Sequence, residues 1–290
     1  MTTHPGVGAP GILEAGLGLQ CRDLHHTYTV GDADVVALAG VSLSVRPGET
    51  VALLGPSGCG KSTLLSIVAG LQRPTSGRVL VGRDDVTAMT VPELLSLRSN
   101  RLGMIVQNPG RSLLPYATPE QNIAFAQRGA SPSRRRELPD APQLLDLLGL
   151  STLAGQRVHA MSGGEQQRVA VAVALGAAPG LLLADEPTSQ LDEENRDALV
   201  ELLAQANAQF GTTVLTVTHD EVVAQAHRRS VRLHEGRIDA DDHLAEDVVR
   251  IGADGSVLLP EHVRRTLPPG TDVRIIATVD GVRLVREEPS

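Results

Sequence analysis

Apolar residues fall in short runs that alternate with amphipathic stretches through most of the chain. From Leu19 this pattern predicts strands, the first ending at Tyr28 and another spanning Val41 to Val45, before Arg46-Pro47-Gly48-Glu49 turns the chain. Val51 to Leu54 is an apolar strand, and the run Leu64 to Ala69 after it has helical character. Pro74-Thr75-Ser76-Gly77 predicts a turn into a strand at Arg78 to Val81, and Pro92 to Arg101 a helix with proline in its first turn. Leu102 to Val106 reads as a short buried strand ending at Gln107. The same alternation returns later as helix Glu165 to Leu175, strand Leu181 to Asp185, helix Glu193 to about Gln209, strand Thr213 to Thr218 and a last pair near Ser230 to Arg237. Strands alternating with helices imply an α/β fold, with a mostly parallel sheet covered on both faces.

Between about Asn108 and Gly164 the pattern breaks. Prolines at 109, 115, 119, 132, 139 and 142 divide short helical pieces, of which Gln143 to Leu148 is the clearest, so this stretch reads as an inserted helical subdomain. Arg134-Arg135-Arg136 within it is either a solvated loop or a contact for an acidic partner. Residues 1–18, rich in glycine and proline, are expected to form a loose arm. After Arg237 an acidic linker, Asp239 to Asp247, leads into residues 248–288. These read as strand, Asp-Gly turn, strand, one helical turn, Pro-Pro-Gly turn and a hairpin across Asp280-Gly281. The expected units are therefore 1–18, 19–240 and 241–290. A unit of about forty residues rarely buries enough core alone, which is a physical reason to expect the last one to pair.

Chemistry concentrates at Gly55-Pro56-Ser57-Gly58-Cys59-Gly60-Lys61-Ser62-Thr63, set between the strand at 51–54 and the helix that follows. Strand, glycine-rich loop, Lys-Ser and helix is the context in which G-x-x-x-x-G-K-[ST] cradles nucleotide phosphates. The glycines let successive N–H groups point at one anion, and the helix adds the positive end of its dipole. Lys61 would reach the β- and γ-phosphates and Ser62 would hold Mg²⁺. Composition sharpens this, because Lys61 is the only lysine in 290 residues and every other strongly basic side chain is arginine. A compact ammonium suits a point charge on phosphate.

Charge and cysteine content narrow the class. A net charge of -8 argues against a general nucleic-acid or membrane-surface binder. Cys21 and Cys59 are the only cysteines, and Cys59 lies in the phosphate loop, so a structural disulfide is not expected and a reducing compartment fits. The longest apolar stretch, Val169 to Ala184, is interrupted at Pro179-Gly180 and falls short of the roughly 20 residues a bilayer span needs. No arginine or lysine precedes Arg22, so a basic secretory start is not expected.

Two further stretches carry functional groups. Leu181-Leu182-Leu183-Ala184-Asp185-Glu186 delivers two carboxylates at the C-terminal end of a strand, where ligands of such sheets bind. One can hold the Mg²⁺ shell while the next polarises water against the γ-phosphate. Ser162-Gly163-Gly164-Glu165 is a capping box, and its two glycines also clear space for an anion at a helix start.

In this order and spacing the motifs resemble the nucleotide-binding subunit of an ATP-binding-cassette (ABC) transporter. MSGGEQQRV at 161–169 resembles the family's signature motif, SQLD at 189–192 its D-loop, Gln107 its Q-loop and His219 in TVTHD its switch histidine. Tyr28 sits where the family places the aromatic that stacks on adenine. The resemblance covers about residues 19–240 and implies a P-loop NTPase of the ABC type working as a head-to-tail homodimer. Ser162, Gly163 and Gly164 of one subunit would close over ATP held by Lys61 of the other. The family's mechanism makes Glu186 the catalytic base, has His219 hold the γ-phosphate and attacking water, and has Asp192 communicate across the dimer. It adds Gln107 to Ser62 and Asp185 at the Mg²⁺ site and links it to a helical insert that docks on a separate integral-membrane permease. The protein would then be cytoplasmic, peripheral on the inner face of the membrane. Met161, Glu165, Val173 and Gln190 depart from the commonest family residues, but none removes a group needed for hydrolysis.

Within the family, VVALAGVSLSV at 35–45 and SLLPYATPEQNIAFA at 112–126 look most like the macrolide- and lipoprotein-exporting branch, shared with the cell-division ATPase. Residues 248–288 are similar to the AbrB-like swapped-hairpin domain, a small mainly-β unit whose copies interlock. Relatives of that domain often bind DNA. Here arginines and acidic residues are equal in number from 248 to 290, and Ser256 stands where DNA-binding relatives usually carry arginine, which favours dimerisation over DNA contact. Two alternatives stay open: a soluble ABC ATPase with a DNA-binding tail, and a mechanically coupled cell-envelope signalling ATPase.

Overall fold

The computed structural model describes residues 16–31, 33–238, 271, 273–278 and 281–286. The chain divides into two compact units, Met1–Asp239 and Ala240–Ser290. Residues 1–15 of the expected arm, the acidic linker, and the tail's first strands and turns up to residue 270 lie outside the described residues.

In chain order the first unit carries β1 (Leu19–Val30), β2 (Ala33–Val45), β3 (Thr50–Leu54), α1 (Lys61–Val68), β4 (Ser76–Val81), β5 (Asp84–Asp85), α2 (Val91–Asn100) and β6 (Leu102–Ile105). It continues with α3 (Pro119–Gln127), α4 (Pro132–Arg135), α5 (Ala141–Leu147), α6 (Gly163–Leu175), β7 (Leu181–Asp185), α7 (Glu193–Phe210), β8 (Thr213–Thr218), α8 (Glu221–Gln225), β9 (Arg229–His234) and β10 (Arg237–Ile238). Prolines mark helix starts as expected, with Pro92 and Pro119 in the first turns of α2 and α3 behind the capping residues Thr90 and Thr118.

Six strands in the order β10-β9-β3-β8-β7-β6 form the central sheet, parallel apart from the β10 edge. Alternate residues of its central strands serve different cores. Leu181, Leu183, Leu215 and Val217 face one cluster, while Leu182, Ala184 and Val214 face another. This period of two explains why β7 reads as continuously apolar: both its faces are covered. The first cluster includes α1 and the strands of a second sheet. The other joins α3, α5, α6 and α7, so the proline-divided insert shares a core with the central sheet.

The second sheet, β2-β1-β4-β5, is antiparallel, and the strand alternation did not separate it from the first. Tyr28 lies inside β1, which runs on to Val30, and β2 begins at Ala33 rather than Val41. The missed half of β2 exposes Val35 and Val36 (51% and 59% of their surface), so no buried face patterns it; pairing with β1 holds it instead. The arginine run of the insert is partly structural. Arg134 donates to the carbonyls of Ala177 and Ala178, and Arg135 to those of Gln127, Arg128 and Ala130.

In the second unit, β11 (Val273–Thr278) and β12 (Gly281–Arg286) pair antiparallel from Val273–Arg286 to Thr278–Gly281. Gly281 is thus the first residue of the returning strand, one place earlier than a turn centred on Asp280-Gly281 implies.

Ile123 is fully buried in the cluster joining the insert to the sheet. Ile123→Ala is expected to cost about 2–5 kcal/mol, read as a lower urea midpoint at unchanged slope; a loss near zero would show that the insert does not share this core.

Candidate functional site

The loop between β3 and α1 is shaped by what its neighbours leave free. A Cβ on Gly55 would lie 2.3 Å from the Leu233 carbonyl oxygen, and one on Gly60 2.3 Å from that of Ala37, so backbone from β9 and β2 walls the loop. Gly60 also holds φ at +105°, a conformation that side chains resist. As the residue before α1 it provides no side-chain cap, and no acidic residue occupies the first turn. The helix start therefore presents donors and dipole to an anion.

Lys61 is 5% exposed, and its Nζ donates to the carbonyls of Gly55 at 2.7 Å and Pro56 at 2.9 Å. Glu186 Oε1 stands 3.5 Å away. Glu186 follows directly on β7, buried, with φ at +47°, and its N–H is fixed to the Val217 carbonyl. A non-glycine residue there stores on the order of 1–3 kcal/mol of strain. Its other oxygen lies 2.7 Å from His219 Nδ1, directly after β8. The strand ends thus bring Lys61, Glu186 and His219 into one chain of contacts.

Ser62 donates to Asp185 Oδ1 at 3.1 Å. Burial pushes the Asp185 carboxyl above its ordinary value of 3.8; the Ser62 hydrogen bond opposes this, the Glu186 charge adds to it and the Lys61 ammonium counters. A hydroxyl and a carboxylate this close make an oxygen pair that suits Mg²⁺, which takes few protein ligands and completes its shell from phosphate and water. Among the described residues no cluster of three or more His, Cys, Asp or Glu could hold a metal ion by itself.

A cavity of about 370 Å³ opens over this group, lined among others by Tyr28, Val36, Ser57, Thr63, Gln107 and Glu186. Gln107 is exposed at its edge. Tyr28 is 37% exposed, with its hydroxyl 3.1 Å from Thr63 Oγ1 and 3.0 Å from Gln72 Oε1. Cys59 is buried within the loop. A larger hollow of about 840 Å³, between Leu17, Arg46, Arg83 and Arg101, holds none of these groups; chemistry rather than volume selects the smaller one.

Ser162, Gly163, Gly164 and Asp192 do not line that cavity. Ser162 caps α6 with Glu165 as the sequence predicts: Glu165 Oε2 accepts from the Ser162 N–H at 2.7 Å. The two glycines differ. A Cβ on Gly163 would meet open space, whereas one on Gly164 would lie 3.1 Å from Asn195 Oδ1. Asn195 also accepts from Arg168 at 3.0 Å and donates from its backbone and side chain to Asp192, holding that carboxyl below its ordinary range. Sequence reasoning missed Asn195. Its spacing from Asp192 signals a helix cap, but nothing in the chain order places it against Gly164. Gln72 was missed as well, since no motif contains it.

A carboxyl with a raised folded-state pKa holds its proton more tightly when folded. Its contribution to stability is therefore fullest below the ordinary value of 3.8 and is lost as pH rises through the raised one. Asp185→Asn is expected to raise the thermal midpoint of ligand-free protein at pH 7, with the gain shrinking toward pH 4; a lower midpoint at pH 7 would contradict the burial effect.

The family model described as ABC transporter matches residues 38–189. The lipoprotein-releasing system ATP-binding protein LolD of Geobacter metallireducens is 42% identical over 223 residues, covering 77% of this chain and 98% of that protein. The macrolide export ATP-binding/permease protein MacB of Syntrophobacter fumaroxidans is 38% identical over 237 residues; the match covers 80% of this chain but only 33% of the relative's length. Among solved structures, the dimeric post-hydrolysis state of the ATP-binding cassette MJ0796 bound to ADP and Pi superposes with a TM-score of 0.67 at 35% identity, covering 76% of this chain and 96% of that one.

Proposed function

The chain belongs to the ABC transporter family, and from that premise we propose that it is an ATP-binding, ATP-hydrolysing subunit that drives a permease carried on another polypeptide. The observation that carries this is that Lys61, Ser62 and Glu186 line one cavity at the phosphate loop, with Asp185 hydrogen-bonded to Ser62 and His219 to Glu186. It is related to MacB- and LolD-type ATPases. LolD is named an ATP-binding protein and is spanned almost whole, which favours a separate permease. Among the described residues no helix is long and apolar enough to cross a membrane. On this reading the subunit sits at the cytoplasmic face, held there by its permease through the helical insert.

The loop from Gly55 to Thr63 binds the triphosphate, with Lys61 on its β- and γ-phosphates and Tyr28 beneath the adenine. Glu186 takes the proton from the attacking water. Its contacts with Lys61 and His219 hold the carboxylate beside the phosphate loop, which supports that role. His219 keeps 56% of its side-chain surface exposed, which leaves it accessible to the γ-phosphate on this reading. Ser62 and Asp185, with Gln107 beside them, would hold Mg²⁺, which neutralises charge on the phosphate oxygens.

Ser162, Gly163 and Gly164 lie off the cavity of their own chain, which supports a head-to-tail homodimer in which they close over the partner's phosphate loop while Asp192 reaches across. That the MJ0796 neighbour is dimeric supports the same arrangement. Residues 241–290 form an AbrB-like unit that pairs two copies. The support is that, among the described residues, β11 and β12 make a two-stranded sheet, and two strands by themselves are marginal in water.

Glu186→Gln is expected to keep ATP binding, lower turnover by at least about a hundredfold and accumulate a dimer on size exclusion with ATP. Turnover at the wild-type rate removes Glu186 from the role of base. Deleting residues 241–290 should weaken nucleotide-free dimerisation in analytical ultracentrifugation, and an unaltered equilibrium would leave the tail without a pairing role.

A further inference from the structure

We infer that Gln72 is a positioning residue that locks Tyr28 into a platform for the nucleobase, in register with the phosphate loop. This deepens the nucleotide-site reading above and rests on it. The Tyr28 hydroxyl meets two groups from opposite ends of one helix. Thr63 is in the first turn of α1, next to Lys61 and Ser62, and Gln72 lies just beyond the helix's last turn. A ring tied at both ends of α1 holds a set distance from the phosphate-binding N–H groups of that helix.

Gln72 itself is oriented by His26. Its Nε2 lies 2.7 Å from His26 Nε2, and an amide nitrogen only donates, so the imidazole Nε2 accepts and the ring proton sits on Nδ1. With the amide nitrogen on the imidazole, Oε1 faces Tyr28. The tyrosine hydroxyl then donates to Gln72 and accepts from Thr63. The His26 and Tyr28 rings pack edge to face, centroids 4.6 Å apart at 81°. His26 is buried, and its Nδ1 finds no hydrogen-bond partner among the described residues.

The turn carrying Gln72 is stitched to β1 on either side: the Thr27 N–H donates to Thr75 Oγ1 at 3.2 Å, and the Thr75 N–H to the His25 carbonyl at 2.8 Å. Tyr28 and Thr63 line the cavity while Gln72 does not, so Gln72 can act only through the tyrosine. A partly exposed tyrosine freezes rotamers when a base lands on it; one held in place beforehand avoids that cost.

The test titrates the full chain calorimetrically with ADP, which is not hydrolysed, and with inorganic pyrophosphate, which carries no base. Gln72→Leu is expected to weaken ADP about fivefold, the order of one lost hydrogen bond, and to leave pyrophosphate unchanged. Tyr28→Phe removes this bond and the one to Thr63, so it should weaken ADP at least as much as Gln72→Leu, and the double variant should lose no more than Tyr28→Phe alone. If Gln72→Leu does not fold, Gln72→Met and Tyr28→Phe carry the same comparison. Equal weakening of ADP and pyrophosphate would mean a general disturbance of the loop and overturn the inference. Unchanged ADP binding in Gln72→Leu beside a loss in Tyr28→Ala would overturn the role of Gln72 while the platform stands. Unchanged ADP binding in Tyr28→Ala would remove the platform itself.

Discussion

A lysine ammonium taken out of water must find compensation for each of its three N–H donors. Lys61 finds two loop carbonyls and one carboxylate. Much of the surrounding geometry follows from that requirement. The carbonyls come from Gly55 and Pro56, which curls the loop around its own lysine. The carboxylate comes from Glu186, which reaches Lys61 only because its backbone adopts a left-handed conformation directly after β7. None of these partners neutralises the cation as well as a phosphate would. Two are uncharged, and the third stands at 3.5 Å and is shared with His219. The buried charge thus keeps its attraction for an anion that carries more negative charge than Glu186.

The central sheet makes this arrangement affordable. β3, β7 and β8 are adjacent and parallel, so their C-terminal ends deliver the phosphate loop, the Asp185-Glu186 pair and His219 to one edge. Both faces of the sheet are packed, by α1 and the second sheet on one side and by α6 and α7 on the other. Strain at Glu186 is borne by strands with no freedom to relax it, anchored through the hydrogen bond to Val217. The carboxylate that raises the cost of ionising Asp185 is the one that compensates Lys61, so the local charges cannot be changed independently.

Whatever depends on local periodicity or capping was legible in the chain. The strand from 213 to 218 has the bounds its apolar run predicts, and the capping box at Ser162 forms as its spacing requires. The second sheet was not legible, because the outer half of β2 is exposed and its partner is chosen by hairpin geometry rather than by a buried face. α8 escaped notice because five residues are too few to display a helical period. At the candidate site, every residue belonging to a short motif could be named in advance. Gln72 and Asn195 could not, since each matters through a neighbour distant in sequence: Tyr28 at 44 positions for the first, Arg168 at 27 for the second.

Asn195 also changes how the glycine pair at 163 and 164 is understood. Two glycines at a helix start suggest a common purpose of clearing room for an anion, yet only Gly163 faces open space. Gly164 is small because Asn195 of the same chain packs against it, and Asn195 in turn grips Asp192 through backbone and side chain. The start of α6 and the start of α7 are thereby fastened together. A dimer that closes over nucleotide would advance both as one piece, with Ser162 and Asp192 arriving at fixed separation. In the proposed dimer the phosphate-loop half of the site would be organised around a buried cation and the opposing half around a carboxylate held by one asparagine. Each half has its internal contacts without the other, and nucleotide would add the charge that draws them together.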